Sequence, residues 1–354
     1  GGARRDAGFT IFYMGINLGA FIGPIIVGWL AVKFGWRIAF SAGAIGMSLG
    51  LLQYRYTQGY LGAAGQAPTS ADAMATRRGR TTVLVALGLI AAVFAAALTG
   101  ALKIDPLQLA KNTGFVLVIA AIAYFIYMLF FAGLDATEKK RMIVIIFLFV
   151  GCAFFWAGFE QTGASLNLFA ERFTDRHIAS LDWTIPTGWF QSVNSIFILT
   201  FGAPFSMLWV WLAKRNLDPS APAKFAFGLI LLGLGFLFMV WAANLVAHGQ
   251  QAMPYLLVLT YLLHTYGELC LSPVGLSSVT KLAPKRFVGQ MMGTWFLGAA
   301  VGNSAAGLIG GHVGSSDASA MPGQFLQMIM IGGGAGVVLL LLSPIIRKWM
   351  GDVK

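Results

Sequence analysis

Along this chain, long apolar stretches alternate with short breaks that carry glycine, proline or charge. Ten apolar stretches can be bounded, at about 9–33, 36–56, 81–101, 113–134, 142–170, 189–213, 225–247, 254–280, 287–311 and 323–346. Each holds roughly 20 residues, the length at which an α-helix crosses the hydrocarbon of a bilayer. The breaks supply residues that end helices or sit at the membrane interface. The pattern predicts an all-α polytopic membrane protein with about ten transmembrane helices. The longest polar break, TQGYLGAAGQAPTSADAMATRRGR over 57–80, reads as a cytoplasmic linker. The two spans after it are almost pure Ala, Val, Leu, Ile and Phe, and are expected to face lipid or other helices instead of a substrate. The chain therefore divides into two spans (1–56), a linker with an inserted pair (57–141) and a six-span unit (142–354).

Composition supports this division. Only 10% of residues are charged and 58% are hydrophobic, with mean hydropathy +0.76, where a soluble domain carries about 25% charged residues. The 44 glycines suit close packing of membrane helices. A net charge of +11 would ordinarily suggest nucleic acid, but its distribution says otherwise. Alternate connections place only Lys33, Arg37, Lys103, Lys111, Arg172 and Arg176 on one side, and the other 18 of the 24 basic residues on the opposite side. That asymmetry puts both ends of the chain in the cytoplasm and calls for no nucleic-acid partner. Cys152 and Cys270 lie inside apolar runs, so no disulfide framework is implied, and the four histidines show no metal-ligand spacing.

Of the 13 acidic residues, only Glu160 and Glu268 lie well inside the apolar zone, and no Lys or Arg sits at comparable depth. Such carboxylates must be protonated, exposed to water in a cavity, or paired with a group outside this chain. Charge at membrane depth is costly and marks substrate or proton paths. Two plainer readings stand beside this: Glu268 pairing with His264 one turn earlier, and Glu160 reaching a water-filled vestibule. Polar and aromatic groups recur around the two acids at helical spacing. Tyr13 and Asn17 share a face, Trp156 precedes Glu160 by four, and Ser272 follows Glu268 by four, with Pro273 and Gly275 expected to loosen that helix. Asn194 lies near the start of its span, and Trp295 follows the Glu268 helix by one connection. Singly, each suits packing; together they describe a cavity for a small zwitterion. Ser272 has no base arranged for attack, and no enzymatic constellation is found. The GGGAG run at 332–336 has no strand before it and reads as helix packing.

Three segments carry a resemblance. RRDAGFTIFYMGINLGAF (4–21), FFWAGFEQTGASLNLFAERF (154–173) and GELCLSPVGLSSVTKLAPKRFVGQMMGTWF (267–296) resemble the fifth, the seventh, and the tenth and eleventh helices of the proton-coupled oligopeptide transporter family. The resemblance implies the major facilitator fold, two six-helix bundles with an inserted pair, fourteen helices in all. The family's E-x-x-E-R-F motif and a lysine of its fourth helix do not occur here, so four helices are expected before Gly1. By resemblance, Tyr13, Asn17, Trp156, Asn194, Glu268, Ser272 and Trp295 line the peptide site. Glu268 is tied to proton coupling, and Glu160 is a gate that pairs with an arginine of the N-terminal bundle. The expected function is proton-coupled symport of di- and tripeptides across the bacterial inner membrane by a monomer, with protons as coupling ion and no cofactor. The alternative is the same fold carrying nitrate, amino acids or another small solute.

Overall fold

The computed structural model describes the backbone of residues 2–62, 73–103, 105–313 and 318–351, and side chains within 14–62, 77–103, 105, 107–310 and 319–351. The elements in chain order are α1 (Gly2–Phe34), α2 (Trp36–Thr57), α3 (Ala73–Leu98), α4 (Pro106–Phe130), α5 (Ala136–Phe159), α6 (Ser165–Phe173), α7 (Gln191–Lys214), α8 (Ala221–Ala247), α9 (Pro254–Leu282), α10 (Val288–Val313), α11 (Met321–Met328) and α12 (Gly334–Met350). A 3-10 turn at Glu160–Thr162 lies between α5 and α6 in one span, and a π-turn at Ile329–Gly333 joins α11 to α12. The described residues form ten span-length units, as the hydrophobic pattern predicts. Among the described residues, seven are long and apolar enough to cross a membrane by length and composition alone. The less apolar helices α2, α9 and α10 are not among those seven.

Helix ends depart from the hydropathy boundaries where charge is compatible with helix. α5 starts at Ala136, ahead of the expected 142, because Asp135 caps it. The Asp135 carboxylate accepts from the Thr137 and Glu138 amides at 2.8 and 2.7 Å, and Glu138 accepts from the Asp135 amide at 3.1 Å. Lys139, Lys140 and Arg141 therefore lie in helix, although the apolar run begins after them. Likewise Arg77, Arg78 and Arg80, assigned above to the linker, belong to α3. Pro273 does not interrupt α9: it removes one backbone hydrogen bond, and the helix is helical on both sides of it.

The chain forms two compact units, one of residues 1–39 with 113–354 and one of residues 40–112. In the first, α5, α8 and α9 share a core that includes Leu148, Phe155, Leu229, Phe236 and Tyr261, all essentially inaccessible. The α8–α9 pair approaches backbone to backbone. A Cβ on Gly228 would stand 2.8 Å from the Gly267 carbonyl oxygen, and one on Gly267 would stand 2.7 Å from the Gly228 oxygen. Only glycine at both positions permits that approach.

Connections at the two ends of this unit are tied by different means. At one end, Arg286 donates to the Gly133 and Ala132 carbonyls at 2.8 and 3.3 Å and meets Glu138 at 3.5 Å, gathering the end of α4 and the start of α5. The other end carries a two-stranded hairpin, β1 (His177–Ile178) and β2 (Trp183–Thr184), turning through Asp182 at φ 43°. Beside it the Ala252 amide donates to the Phe173 carbonyl at 2.8 Å, and the Asp175 amide to the Ala252 carbonyl at 2.9 Å.

Candidate functional site

α9 places Glu268, Ser272 and Gly275 at i, i+4 and i+7, a single stripe of one helix face. Glu268 is half-buried and faces α7, where Asn194 lies in the first turn. Asn194 Nδ2 donates to Glu268 Oε2 at 3.1 Å and to Thr265 Oγ1 at 3.0 Å. Thr265 is fully buried and donates its own proton to the Tyr261 carbonyl at 2.7 Å. The remaining oxygens, Glu268 Oε1 and Asn194 Oδ1, have no partner among the described residues and are not sealed from their surroundings. The arrangement thus presents two acceptors, one of them a carboxylate, at membrane depth.

Glu160 lies where α5 ends and tightens into the 3-10 turn, so it marks a change of helix type inside a long span. It is half-buried and within electrostatic reach of Glu268. Neither carboxylate forms an ion pair among the described residues. Two acids on packed helices without a cation between them leave open water, a proton or a charged ligand as their partner.

The plain pairing of Glu268 with His264 does not form. His264 sits one turn earlier on α9, but its ring fills a slot on α8 over Gly235, where a Cβ would stand 2.5 Å away. Phe236 at 4.8 Å and Phe159 at 6.3 Å complete the slot, and neither ring nitrogen has a hydrogen-bond partner among the described residues. The imidazole is used in packing, and the carboxylate is left to α7.

Trp295 is only 7% exposed and lies on Phe225 and on Gly275, where a Cβ would come within 2.1 Å of the ring. The ring therefore ends the Glu268–Ser272–Gly275 stripe, one turn beyond Ser272. Trp156 packs edge-on to Phe155 and Phe159 at 5.9 and 5.3 Å. Its buried indole nitrogen has no hydrogen-bond partner among the described residues. The Ser272 hydroxyl is buried without a hydrogen-bond partner among the described residues. Asn17 is 6% exposed on α1, while the side chain of Tyr13 lies outside the described residues.

α1 reaches the same region through α7. Ser192 Oγ donates to the Phe21 carbonyl at 2.7 Å, and Trp189 Nε1 to the Ile25 carbonyl at 3.1 Å. Sequence reasoning does not single out Thr265, Ser192 or Trp189. Thr265 carries a faint signal, a hydroxyl three residues before a membrane-depth acid, whereas a side chain bonded to another helix's backbone leaves no trace in the spacing. A cavity of about 390 Å³ lies elsewhere, lined by Gln161, Ser165, Gln324 and Gln327 among others. There Ser165 donates to Gln161, which donates to the Ala157 and Ala306 carbonyls at 3.1 and 3.2 Å. Among the described residues its lining holds no titratable group, so the carboxylates of α5 and α9 define the candidate site.

The POT family profile matches residues 1–324. The chain is 40% identical over 363 residues to the peptide transporter YePEPT of Yersinia enterocolitica subsp. palearctica, across 100% of this chain and 70% of that protein. It is 32% identical over 364 residues to the di-/tripeptide transporter of Lactococcus lactis subsp. cremoris, across 99% of this chain and 71% of the relative. A solved structure of a peptide transporter POT in complex with sulfate superposes with TM-score 0.85 at 36% identity, over 98% of this chain and 69% of that one. A POT family transporter in complex with 5-aminolevulinic acid superposes with TM-score 0.83 at 31% identity, over 98% of this chain and 70% of that one. Agreement of this kind along nearly the whole chain concerns the fold and not one motif. With its helical units in the major facilitator arrangement, the chain belongs to the POT family of membrane transporters.

Proposed function

We infer that the protein carries di- and tripeptides by symport with protons, through alternating access about the α7–α9 site. The observation that carries this reading is the Asn194–Glu268 hydrogen bond at 3.1 Å, which holds a carboxylate with no cation partner among the described residues between two membrane helices. An ammonium group is the natural complement of a carboxylate beside an amide oxygen. A peptide brings such a group, and so does the 5-aminolevulinic acid bound by a relative. The relatives named peptide and di-/tripeptide transporters favour the peptide.

In this reading, Glu268 alternates between holding a proton and holding the substrate ammonium, while Glu160, within its electrostatic reach, senses the same charge. Neutralising either acid lowers the cost of closing the bundle around it, which couples proton movement to rocking of the two halves. Ser272, Trp295 and Trp156 form the wall beside the acids, Asn17 approaches from α1, and Tyr13 lies one helical turn before it in sequence. The chain works as a monomer in the bacterial inner membrane with both of its ends cytoplasmic, which accords with the excess of basic residues on one side. Nitrate, the main alternative cargo, is an anion and would meet a carboxylate.

The test is uptake of radiolabelled dialanine by the full-length protein in proteoliposomes under an inward proton gradient, with unlabelled dialanine or nitrate as competitor. The reading expects accumulation that dialanine suppresses and nitrate does not. Accumulation suppressed by nitrate alone, or the absence of dialanine uptake, would contradict it.

A further inference from the structure

We propose that Thr265 is a positioning residue of this site: it sets which way the Asn194 amide faces, and so commits Asn194 to offering its oxygen to the substrate. The proposal rests on the peptide-transport reading for its substrate and on hydrogen-bond polarity for its geometry.

A threonine hydroxyl has one proton. Thr265 donates it to the Tyr261 carbonyl at 2.7 Å, inside its own helix. Toward Asn194, 3.0 Å away, its oxygen can then only accept, so the group facing it must be the NH2 end of the amide. The second proton of that NH2 goes to Glu268 Oε2 at 3.1 Å. The chain of polarity runs from Asn194 through Thr265 to Tyr261, and the amide nitrogen is used up. While Thr265 donates to Tyr261 and Glu268 is ionised, as it is when it holds the substrate ammonium, a turned amide would set its oxygen against an acceptor at both contacts. The cost of that clash is what fixes the amide, and the complete burial of Thr265 prevents water from supplying a substitute proton.

The consequence lies on the open side. With nitrogen committed to the protein, Asn194 Oδ1 and Glu268 Oε1 point outward as a pair of acceptors suited to the ammonium of a peptide. Without the Thr265 hydroxyl, one amide proton loses its partner and only the Glu268 contact still holds the amide, so turned orientations gain population. In those orientations its NH2 meets the substrate ammonium, donor against donor. The Tyr261 carbonyl keeps its own helical hydrogen bond, so the lost hydroxyl acts through Asn194.

The experiment measures KM and maximal rate of dialanine uptake by the full-length protein for Thr265→Val, Thr265→Ser, Asn194→Ala and the Val/Ala double variant. Thermal unfolding of each purified protein without peptide is recorded alongside. Thr265→Val should raise KM about tenfold, the scale of one hydrogen bond to a charged group. Its maximal rate should change little, and Thr265→Ser should restore KM. On the Asn194→Ala background, Thr265→Val should change KM by less than about twofold. An equal rise in KM on both backgrounds, or a serine variant as impaired as the valine one, would overturn the proposal. If the wild-type protein takes up no dialanine, the peptide reading fails and the relay is judged from unfolding alone. A smaller loss of stability from Thr265→Val on the Asn194→Ala background supports it, and equal losses on both backgrounds refute it.

Discussion

α3 and α9 divide the work of a membrane helix in opposite ways. In α3, the span Arg77–Leu98 is apolar from Val83 onward and its apolar stretch buries no residue within the protein, so those side chains are matched to lipid. α9 is not among the helices that qualify as spans by composition, yet it carries Glu268, Thr265, His264 and Ser272 and is packed by α8, α7 and α5. Apolarity alone does not mark a helix that meets lipid, since the equally apolar α5 and α8 spans are 56% buried, but a helix enclosed by others is released from the need to be apolar and can hold chemistry. The glycines follow the same division. Nothing stands within 4 Å of a Cβ at Gly88 of α3, whereas a Cβ at Gly267 of α9 would collide with the backbone of α8.

Substitutions at these glycines are the sharpest way to break the comparison. Gly267→Leu should leave no monodisperse folded protein on size-exclusion after detergent extraction, because overpacking costs about 1–3 kcal/mol even where side chains can give way, and here the obstacle is the Gly228 carbonyl. Gly88→Leu should extract like the wild type; equal yields of the two variants would erase the distinction. Next in size, Gly275→Val must displace the Trp295 ring. It should lower thermal stability by about 1–3 kcal/mol and weaken dialanine uptake, and a variant that does neither would remove Trp295 from the wall of the site. Ser192→Ala removes one hydrogen bond between α7 and α1. A loss of about 1 kcal/mol is expected, read as a small fall in the unfolding midpoint. The least effect belongs to Gly88→Ala, which should stay within about 0.5 kcal/mol of the wild type.

How much of this was legible beforehand follows from where the information resides. Ten helical units are written in the run lengths, and the two membrane-depth acids stand out because no other acidic residue shares their setting. Helix starts such as Ala136 are displaced from the apolar boundary because the Asp135 cap lies among charges that a hydropathy reading treats as loop. The fate of His264 was not legible, since spacing places it beside Glu268 and only the gap at Gly235, in another helix, draws it away. The hairpin at 177–184 has strands of two residues, too short for any alternation to register. The Asn194–Thr265–Glu268 arrangement joins residues more than 70 positions apart in sequence, as the hydrogen bonds span 71 and 74 positions. Asn194 and Glu268 were legible as polar residues in apolar helices, while Thr265 and the contact among the three were not.

The most direct measurement of the central claim compares proton-driven dialanine accumulation by the wild-type protein and by Glu268→Gln in the same proteoliposomes. Glutamine preserves the shape and can still accept the Asn194 hydrogen bond through its amide oxygen, but it cannot exchange a proton or carry charge, so it separates ionisation from packing. The account predicts a variant that folds and unfolds like the wild type and accumulates no dialanine under the gradient. Undiminished accumulation by that variant would contradict it.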